Sequence, residues 1–78
     1  MTQYGQTIAT IADITRRGTE LRFILTSFNG GPEKIDMRIW YEDEDGEMRP
    51  SKQGFRVKAD KFPLFADAVE EAASELPK

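Results

Sequence analysis

The chain has 78 residues, with 11 basic and 14 acidic side chains and neither cysteine nor histidine. Without those two residue types it has no disulfide framework and no plausible ligands for a structural zinc site. A chain of this length is near the lower limit for burying a sufficient core by itself. We therefore expect one domain over residues 1–78, supported by self-association.

Charge is divided between segments of the chain. Residues 1–41 and 48–58 together carry nine basic and four acidic groups, a net of +5, whereas residues 42–47 and 59–78 carry two basic and ten acidic groups, a net of -8. The total of -3 is therefore a poor guide to any one surface, and it does not exclude a polyanionic partner.

Two strands are predicted in the first third of the chain. Residues 6–15 are rich in isoleucine and threonine, whose side chains fit a pleated sheet, and residues 16–19 are predicted to form a turn. In residues 20–28 the pattern alternates, with Leu21, Phe23 and Leu25 on one face and Arg22 on the other. The turn formers NGGP at 29–32 then predict a tight antiparallel connection.

The third predicted strand begins at Lys34. Its apolar positions are Ile35, Met37 and Ile39, and its other face carries Lys34, Asp36, Arg38 and Trp40. Tyr41 falls on the apolar side unless the strand end bulges. The acidic residues 42–47 predict a solvated hairpin loop in preference to a calcium or magnesium site, because their spacing does not match an EF-hand.

A fourth strand is predicted over Met48–Lys58. Pro50 suits an edge position because it cannot donate to a strand ladder, and Gly54 marks a bulge or a close backbone approach. From Asp60 the apolar period changes to about 3.6, which predicts the only helix. We expect Asp60 as its N-cap, Pro63 at its third position and Pro77 at its end.

The helix has a wide apolar surface. One stripe is formed by Phe62, Phe65, Val69, Ala72, Ala73 and Leu76. Leu64 and Ala68 widen this stripe beyond what one packing face needs, which favours contact with a second subunit as well as with the sheet.

These elements predict an α+β fold, a four-stranded antiparallel sheet followed by one C-terminal amphipathic helix (ββββα). One helix covers one sheet face, so the other face is exposed or filled by a partner. By parity that face carries Arg22, Lys34, Arg38, Trp40 and Arg56, and Arg49 and Lys52 can join it from strand four. Two interpretations stay open: these groups bind a single-stranded nucleic acid, or Trp40 fills the core and the cations only keep the protein soluble.

Catalysis has few candidate residues. There is no histidine or cysteine, no glycine-rich phosphate loop, and no serine beside an obvious base, so we expect a protein without enzymatic activity or cofactor. Asp36 next to Arg38 on one strand face is interpreted as a structural ion pair in preference to a general base.

Three segments carry a family resemblance: KIDMRIW at 34–40, DGEMRP at 45–50 and KQG at 52–54. Together they resemble the positive cofactor four (p15) family of single-stranded-DNA-binding transcriptional coactivators, and NGGP is similar to its bacterial YdbC-like branch. The resemblance covers residues 28–69, about half of the chain. It implies a curved four-stranded antiparallel sheet and a helix, forming a homodimer through helices and sheet edges.

The resemblance also implies functional positions. The strand-three arginine of the family corresponds to Arg38, its base-stacking aromatic to Trp40 or Tyr41, and Phe28 replaces an aromatic of the preceding turn. Only Lys52 remains of a basic pair before Gly54, and turn lysines of the family are absent. The residues expected to bind nucleic acid are Arg22, Phe28, Lys34, Arg38, Trp40, Tyr41, Arg49, Lys52, Gly54 and Arg56.

The expected function is therefore sequence-tolerant binding of single-stranded DNA by a dimer, with a role like that of a transcriptional coactivator. RNA is an alternative strand, and the transcription machinery is a further candidate partner. The missing cations predict weaker binding and a smaller salt slope than in a typical member. An alternative is a protein-interaction adaptor of the same fold that has lost nucleic-acid binding, which the acidic segments favour.

Location is predicted from what the chain lacks. It has no basic-flanked apolar leader and no run of about 18 apolar residues. We therefore expect a cytoplasmic, nucleoid-associated protein with no membrane partner.

Overall fold

The computed structural model describes residues 5–27 and 30–77. Its elements are β1 (Gln6–Ala12), β2 (Glu20–Thr26), β3 (Lys34–Glu42), β4 (Met48–Lys58), a 3₁₀ helix (Ala59–Lys61) and α1 (Phe62–Ser74). The strands form one antiparallel sheet in the order β1-β2-β3-β4. The predicted four-stranded antiparallel sheet followed by a C-terminal helix is confirmed, with β4 at the sheet edge where Pro50 is tolerated.

The β1–β2 connection is longer than predicted, because β1 ends at Ala12 and not at residue 15. Asp13 adopts a positive φ of 57°, and its side-chain Oδ1 accepts a hydrogen bond from the Gly18 N–H at 2.7 Å. Thr19 is buried, and its hydroxyl donates to the Arg16 carbonyl at 2.6 Å. These local hydrogen bonds replace ladder bonds, so the chain leaves the sheet three residues early.

The β2–β3 register is regular and decides which side chains share a face. Arg22 lies directly opposite Arg38, Ile24 opposite Asp36, and Glu20 opposite Trp40. On the other side of β3, Asp36 lies opposite Arg56. Directly opposed residues in an antiparallel pair point to the same face. We call this surface the arginine face; its charged and aromatic residues are Glu20, Arg22, Lys34, Asp36, Arg38, Trp40, Arg56 and Lys58.

The β3–β4 pair contains a bulge that resolves the position of Tyr41. Arg38 pairs with Gly54 and Trp40 with Pro50, so two positions along β3 correspond to four along β4. The extra residues therefore belong to β4, and β3 alternates without interruption. Tyr41, opposite Arg49, lies on the sheet face away from Arg38.

The start and end of the helix differ from the prediction. The N-cap is Lys61, without a side-chain hydrogen bond, and Asp60 lies inside the preceding 3₁₀ helix, so the expected Asp60 cap is wrong. Pro63 stands one position earlier than predicted, in the first turn, where a missing N–H leaves no hydrogen bond unmade. The helix ends at Ser74, before Pro77, and the Ser74 hydroxyl donates to the Glu71 carbonyl.

The helix contacts only part of the sheet. Phe62 meets Phe23 edge-to-face with ring centroids 6.4 Å apart, and Phe65 meets Phe55 at 5.9 Å. No residue of α1 is buried. Between the helix and the sheet lies an open groove of about 900 Å³, which we call the apolar groove; its lining includes Ile11, Leu21, Met37, Ile39, Phe55, Phe65 and Val69. The prediction that one helix covers this sheet face is therefore wrong in part, because the helix covers only some of the face and leaves the groove open.

Candidate nucleic-acid interface

Two arginines at the centre of the arginine face have matching surroundings. Arg22 and Arg38 are direct cross-strand neighbours, an arrangement in which like charges repel. Each has an acid two residues earlier on its own strand. The Arg22 Nε donates to Glu20 Oε1 at 2.9 Å, and the Arg38 Nε donates to Asp36 Oδ1 at 3.2 Å. The predicted ion pair between Asp36 and Arg38 is confirmed, and the two acids offset the repulsion.

Arg38 is held at two points. Besides its bond to Asp36, its Nη1 donates to the Ser51 carbonyl at 2.9 Å. Ser51 belongs to the bulged part of β4, so the irregular edge strand supplies an acceptor that a regular strand would use in the ladder. Asp36 also approaches the second strand neighbour, with Oδ2 3.6 Å from the Arg56 Nε.

Trp40 lies beneath the Arg22 guanidinium. Trp40 is 9% exposed, and the Arg22 guanidinium carbon lies 4.4 Å from the centroid of the Trp40 ring. This is the geometry of a cation–π contact, in which the guanidinium covers a face of the indole. Trp40 thus fills the interior of the arginine face, as the second interpretation of this residue expected, and it also supports Arg22.

Tyr41 is the accessible aromatic of the segment. It is 40% exposed and stands opposite Arg49 at the end of the β3–β4 pair, on the face away from Trp40. Arg49 is also exposed and lies next to the acidic loop. A ring and a cation therefore share one accessible end of the sheet.

The acidic loop is ordered by Asp43. Its Oδ1 accepts from the N–H groups of Asp45 and Glu47 at 2.8 and 2.9 Å, and its Oδ2 accepts from the Arg49 Nε at 2.7 Å. The Arg49 hydrogen bond, followed by the Glu47 N–H, holds the pKa of Asp43 below its ordinary value of 3.8. Asp43 in turn raises the pKa of Arg49. The loop is a closed hairpin that anchors Arg49.

The predicted site residues fall into two groups. The arginine face brings together Arg22, Lys34, Arg38, Trp40 and Arg56. Tyr41 and Arg49 lie together at the sheet end, and Lys52 is exposed on the bulge. Gly54 stands under Arg38, where any Cβ would lie 2.7 Å from the Arg38 Cα, which confirms the close approach. Phe28 lies outside the described residues.

Sequence reasoning missed three supporting groups: Glu20, Asp43 and the Ser51 carbonyl. A signal for the first was present, since Glu20 and Arg22 repeat the two-residue spacing of Asp36 and Arg38 on the neighbouring strand. Asp43 was hidden among five acids, and a backbone carbonyl leaves no mark in a sequence.

Among residues 5–27 and 30–77, no group of three or more acidic side chains is arranged to hold a metal ion. Within the same residues, no helix has the length and apolar character needed to cross a membrane.

The chain is thus a small α+β protein with an open four-stranded antiparallel sheet, a terminal helix and cations on one sheet face. The family model described as Transcriptional Coactivator p15 (PC4) matches residues 16–68, most of the chain. The chain belongs to this family, and membership indicates a PC4-like nucleic-acid-binding role. No curated protein matches the chain.

Two solved structures are similar in fold. The orthorhombic crystal form of BPSL1147, a PC4 homolog from Burkholderia pseudomallei K96243, has a TM-score of 0.81 and 21% identity, covering 97% of this chain and 99% of that one. The tetragonal form has a TM-score of 0.77 and 22% identity, covering 88% and 97%. At these identities the likeness concerns the fold.

Proposed function

We propose that the protein binds single-stranded DNA as a homodimer, with little sequence preference and in a transcriptional coactivator-like role. The observation that carries this proposal is the group of Arg22, Arg38 and Arg56 on one face, each paired with a neighbouring carboxylate. A guanidinium offers a planar fork of donors that matches phosphate oxygens. With Lys34 and Lys58 the face has five cations against two acids, Glu20 and Asp36, so it attracts a polyanion although the chain is acidic.

We assign base stacking to Tyr41 and not to Trp40. Stacking needs an accessible ring face, and the Trp40 ring is buried under Arg22 whereas Tyr41 is exposed. Arg49, directly opposite Tyr41, is placed to contact the adjoining phosphate. Phe28 remains a second candidate for stacking on the strength of the resemblance.

The arginine face and the pair formed by Tyr41 and Arg49 lie on opposite faces of the sheet, which constrains the path of the bound DNA strand. A strand that contacts both Arg38 and Tyr41 passes around the end of the β3–β4 pair. Lys52 is exposed on the β4 bulge, between Arg49, which lies opposite Tyr41, and Gly54, which lies opposite Arg38, and we assign it a further phosphate contact. The acidic loop binds Arg49 through Asp43, but its other carboxylates repel a nucleic acid. We therefore place the DNA beside the β4 bulge, away from the tip of the loop.

The apolar groove supports the dimer. Phe55, Leu64 and Val69 are large apolar side chains with more than half of their surface exposed. A soluble chain of this size rarely leaves such a continuous surface in water, and burying it would stabilise a small core. We place the second copy against the groove and the exposed apolar side chains of α1, which leaves both arginine faces accessible.

The first test measures the affinity for labelled oligo-dT and for a matched duplex by fluorescence anisotropy. Arg38→Ala should weaken single-strand binding by about 1.5–3 kcal/mol, as for the loss of a charged hydrogen bond. Tyr41→Ala should cost about 1–3 kcal/mol, the usual contribution of one stacked base. Lys61→Ala is the charge-matched control, because Lys61 lies in the 3₁₀ helix outside the sheet.

Two results would contradict the proposal. One is equal affinity for the duplex and the single strand; the other is an unchanged affinity after both substitutions. An oligo-rU arm distinguishes DNA from RNA, since stacking accepts either sugar unless a 2′-hydroxyl is contacted.

The adaptor function remains the second candidate. The observation that favours it is the acidic outer side of the helix, with Asp67, Glu70, Glu71 and Glu75 exposed and no basic residue between them. An adaptor would show no single-strand binding by the wild-type protein even at low salt, where phosphate contacts are strongest.

A further inference from the structure

We propose that Asp36 is a positioning residue for nucleic-acid binding, whose buried carboxylate orients Arg38 and Arg56 toward the phosphates. The inference rests on the proposed function and concerns a residue that does not itself touch the strand. It is drawn from the burial of Asp36, from its two arginine contacts and from its difference from Glu20.

Asp36 occupies the most enclosed position of the arginine face. Its side chain is 1% exposed, between Ile24 on β2 and Arg56 on β4, both directly opposite it. A carboxylate in such a position is costly unless cations compensate for its lost hydration. Both of its oxygens are used, Oδ1 by Arg38 at 3.2 Å and Oδ2 by Arg56 at 3.6 Å.

The contacts fix the direction of the guanidinium groups. In both arginines the atom that faces Asp36 is Nε, the guanidinium nitrogen closest to the backbone. A carboxylate bound there leaves the outer nitrogens pointing away from it. For Arg38 one of these, Nη1, is tied to the Ser51 carbonyl, so the planar group is held from two sides. A cation held in this way loses little freedom when it binds a phosphate.

Glu20 provides an internal comparison. It has the same two-residue spacing to Arg22 and the same contact to Nε. Its side chain is 32% exposed, and it forms an ion pair with Arg22 on its own strand. Glu20 therefore acts mainly as a charge beside one arginine, whereas Asp36 links two strands.

The test is whether Asp36→Asn raises or lowers the affinity for oligo-dT. Asp36→Asn keeps the size of the side chain and removes one negative charge from a face that binds a polyanion. If Asp36 acted only through its charge, this variant would bind oligo-dT more tightly. A positioning role predicts the opposite, a loss of about 10-fold, as expected when a charged hydrogen-bonding group is no longer held in place. Glu20→Gln should bind as the wild type does, or more tightly.

The salt dependence gives a second readout. For a single strand, the slope of log affinity against log salt changes by about 0.7 for each phosphate contact. Asp36→Asn should reduce the slope, because Arg38 and Arg56 no longer both reach phosphates. Glu20→Gln should leave the slope unchanged.

A further variant covers the case in which Asp36→Asn does not fold, which circular dichroism would show. Arg38→Lys keeps the charge but has no planar fork for Asp36 to orient, so it should also lose about 10-fold. A wild-type affinity in Arg38→Lys, or equal or tighter binding by a folded Asp36→Asn, would overturn the inference while leaving the proposed function intact. Failure of the wild-type protein to bind oligo-dT would overturn both.

Discussion

Gly54 shows how a single residue brings β4 close to Arg38. A Cβ at this position would lie 2.5 Å from the Met37 carbonyl oxygen and 2.7 Å from the Arg38 Cα, both on the backbone of β3. Backbone atoms cannot move aside as the end of a flexible side chain can. The predicted place of Gly54 in the binding site is therefore best understood as support for Arg38, with no side chain of its own to contact a strand.

We predict that Gly54→Ala destabilises the protein by about 1–3 kcal/mol, the usual cost of inserting a methyl group into a packed position. The measurement is the free energy of unfolding from urea titration. Gln53→Ala, the adjacent exposed position on β4, should change that free energy by less than about 0.5 kcal/mol. Equal stability of the two variants would show that β4 moves away from β3 without cost.

Single residues also show what a sequence reveals about this site. Alternation was sufficient to place Arg22 and Arg38 on one face, because both strands alternate regularly there. The alternation of side chains along β3 could not decide whether Trp40 or Tyr41 is the aromatic available for base stacking. It depends on an arginine contributed by the neighbouring strand and on a bulge that belongs to β4 and not to β3.

Among the elements, the β3–β4 hairpin loop has the most definite electrostatics. Asp43 has a lowered pKa in the folded protein, because Arg49 and two backbone N–H groups bind its ionised form. Its contribution to stability is therefore fully present above its ordinary pKa of 3.8 and is lost as the pH falls through the lower pKa of the folded state.

We predict that Asp43→Asn lowers the urea midpoint near pH 7, and that this difference shrinks as the pH falls through the lowered pKa of Asp43, because the wild-type carboxylate then becomes protonated as well. The asparagine can still accept a backbone hydrogen bond, so the lost part is the ionic bond to Arg49. Glu44→Gln, an exposed acid in the same loop, is the control and should show no such pH-dependent difference. A difference that persists undiminished at low pH would contradict this account.

The predicted boundaries of the elements agree with the observed ones where side-chain alternation determines them. They disagree where hydrogen bonds between residues a few positions apart determine them. Strand β4 was predicted with its observed bounds, and β2 and β3 nearly so. The end of β1 and the start of α1 were wrong, because the Asp13 turn and the 3₁₀ helix compete locally with the regular elements. Those competing structures depend on backbone geometry that residue types alone do not specify.

For the whole molecule, the apolar groove is the feature that most affects its state in solution. The helix meets the sheet through two ring pairs and leaves apolar side chains of both elements uncovered. The sequence indicated this only as an apolar stripe that is too wide for one face. The angle at which the helix leaves β4, which opens the groove, has no signal in the residue pattern.

We predict that Val69→Asp converts the proposed dimer into a monomer, because it places a charge on the apolar groove. Sedimentation equilibrium should give twice the 8.9 kDa chain mass for the wild type and the single mass for the variant. Glu70→Gln, the next residue on the exposed helix, should remain a dimer. A Val69→Asp variant that still sediments as a dimer would place the contact between copies elsewhere.

The burial of Trp40 also determines what the protein's own fluorescence can report. It is the only tryptophan of the chain, so it supplies nearly all of the indole emission. A base stacked on Tyr41 would not touch it, whereas a phosphate that draws Arg22 away from the indole would change its surroundings directly. The tryptophan emission spectrum therefore reports the position of Arg22 relative to the indole. A spectral shift on adding oligonucleotide would indicate that Arg22 binds a phosphate, and it would not report base stacking on Tyr41.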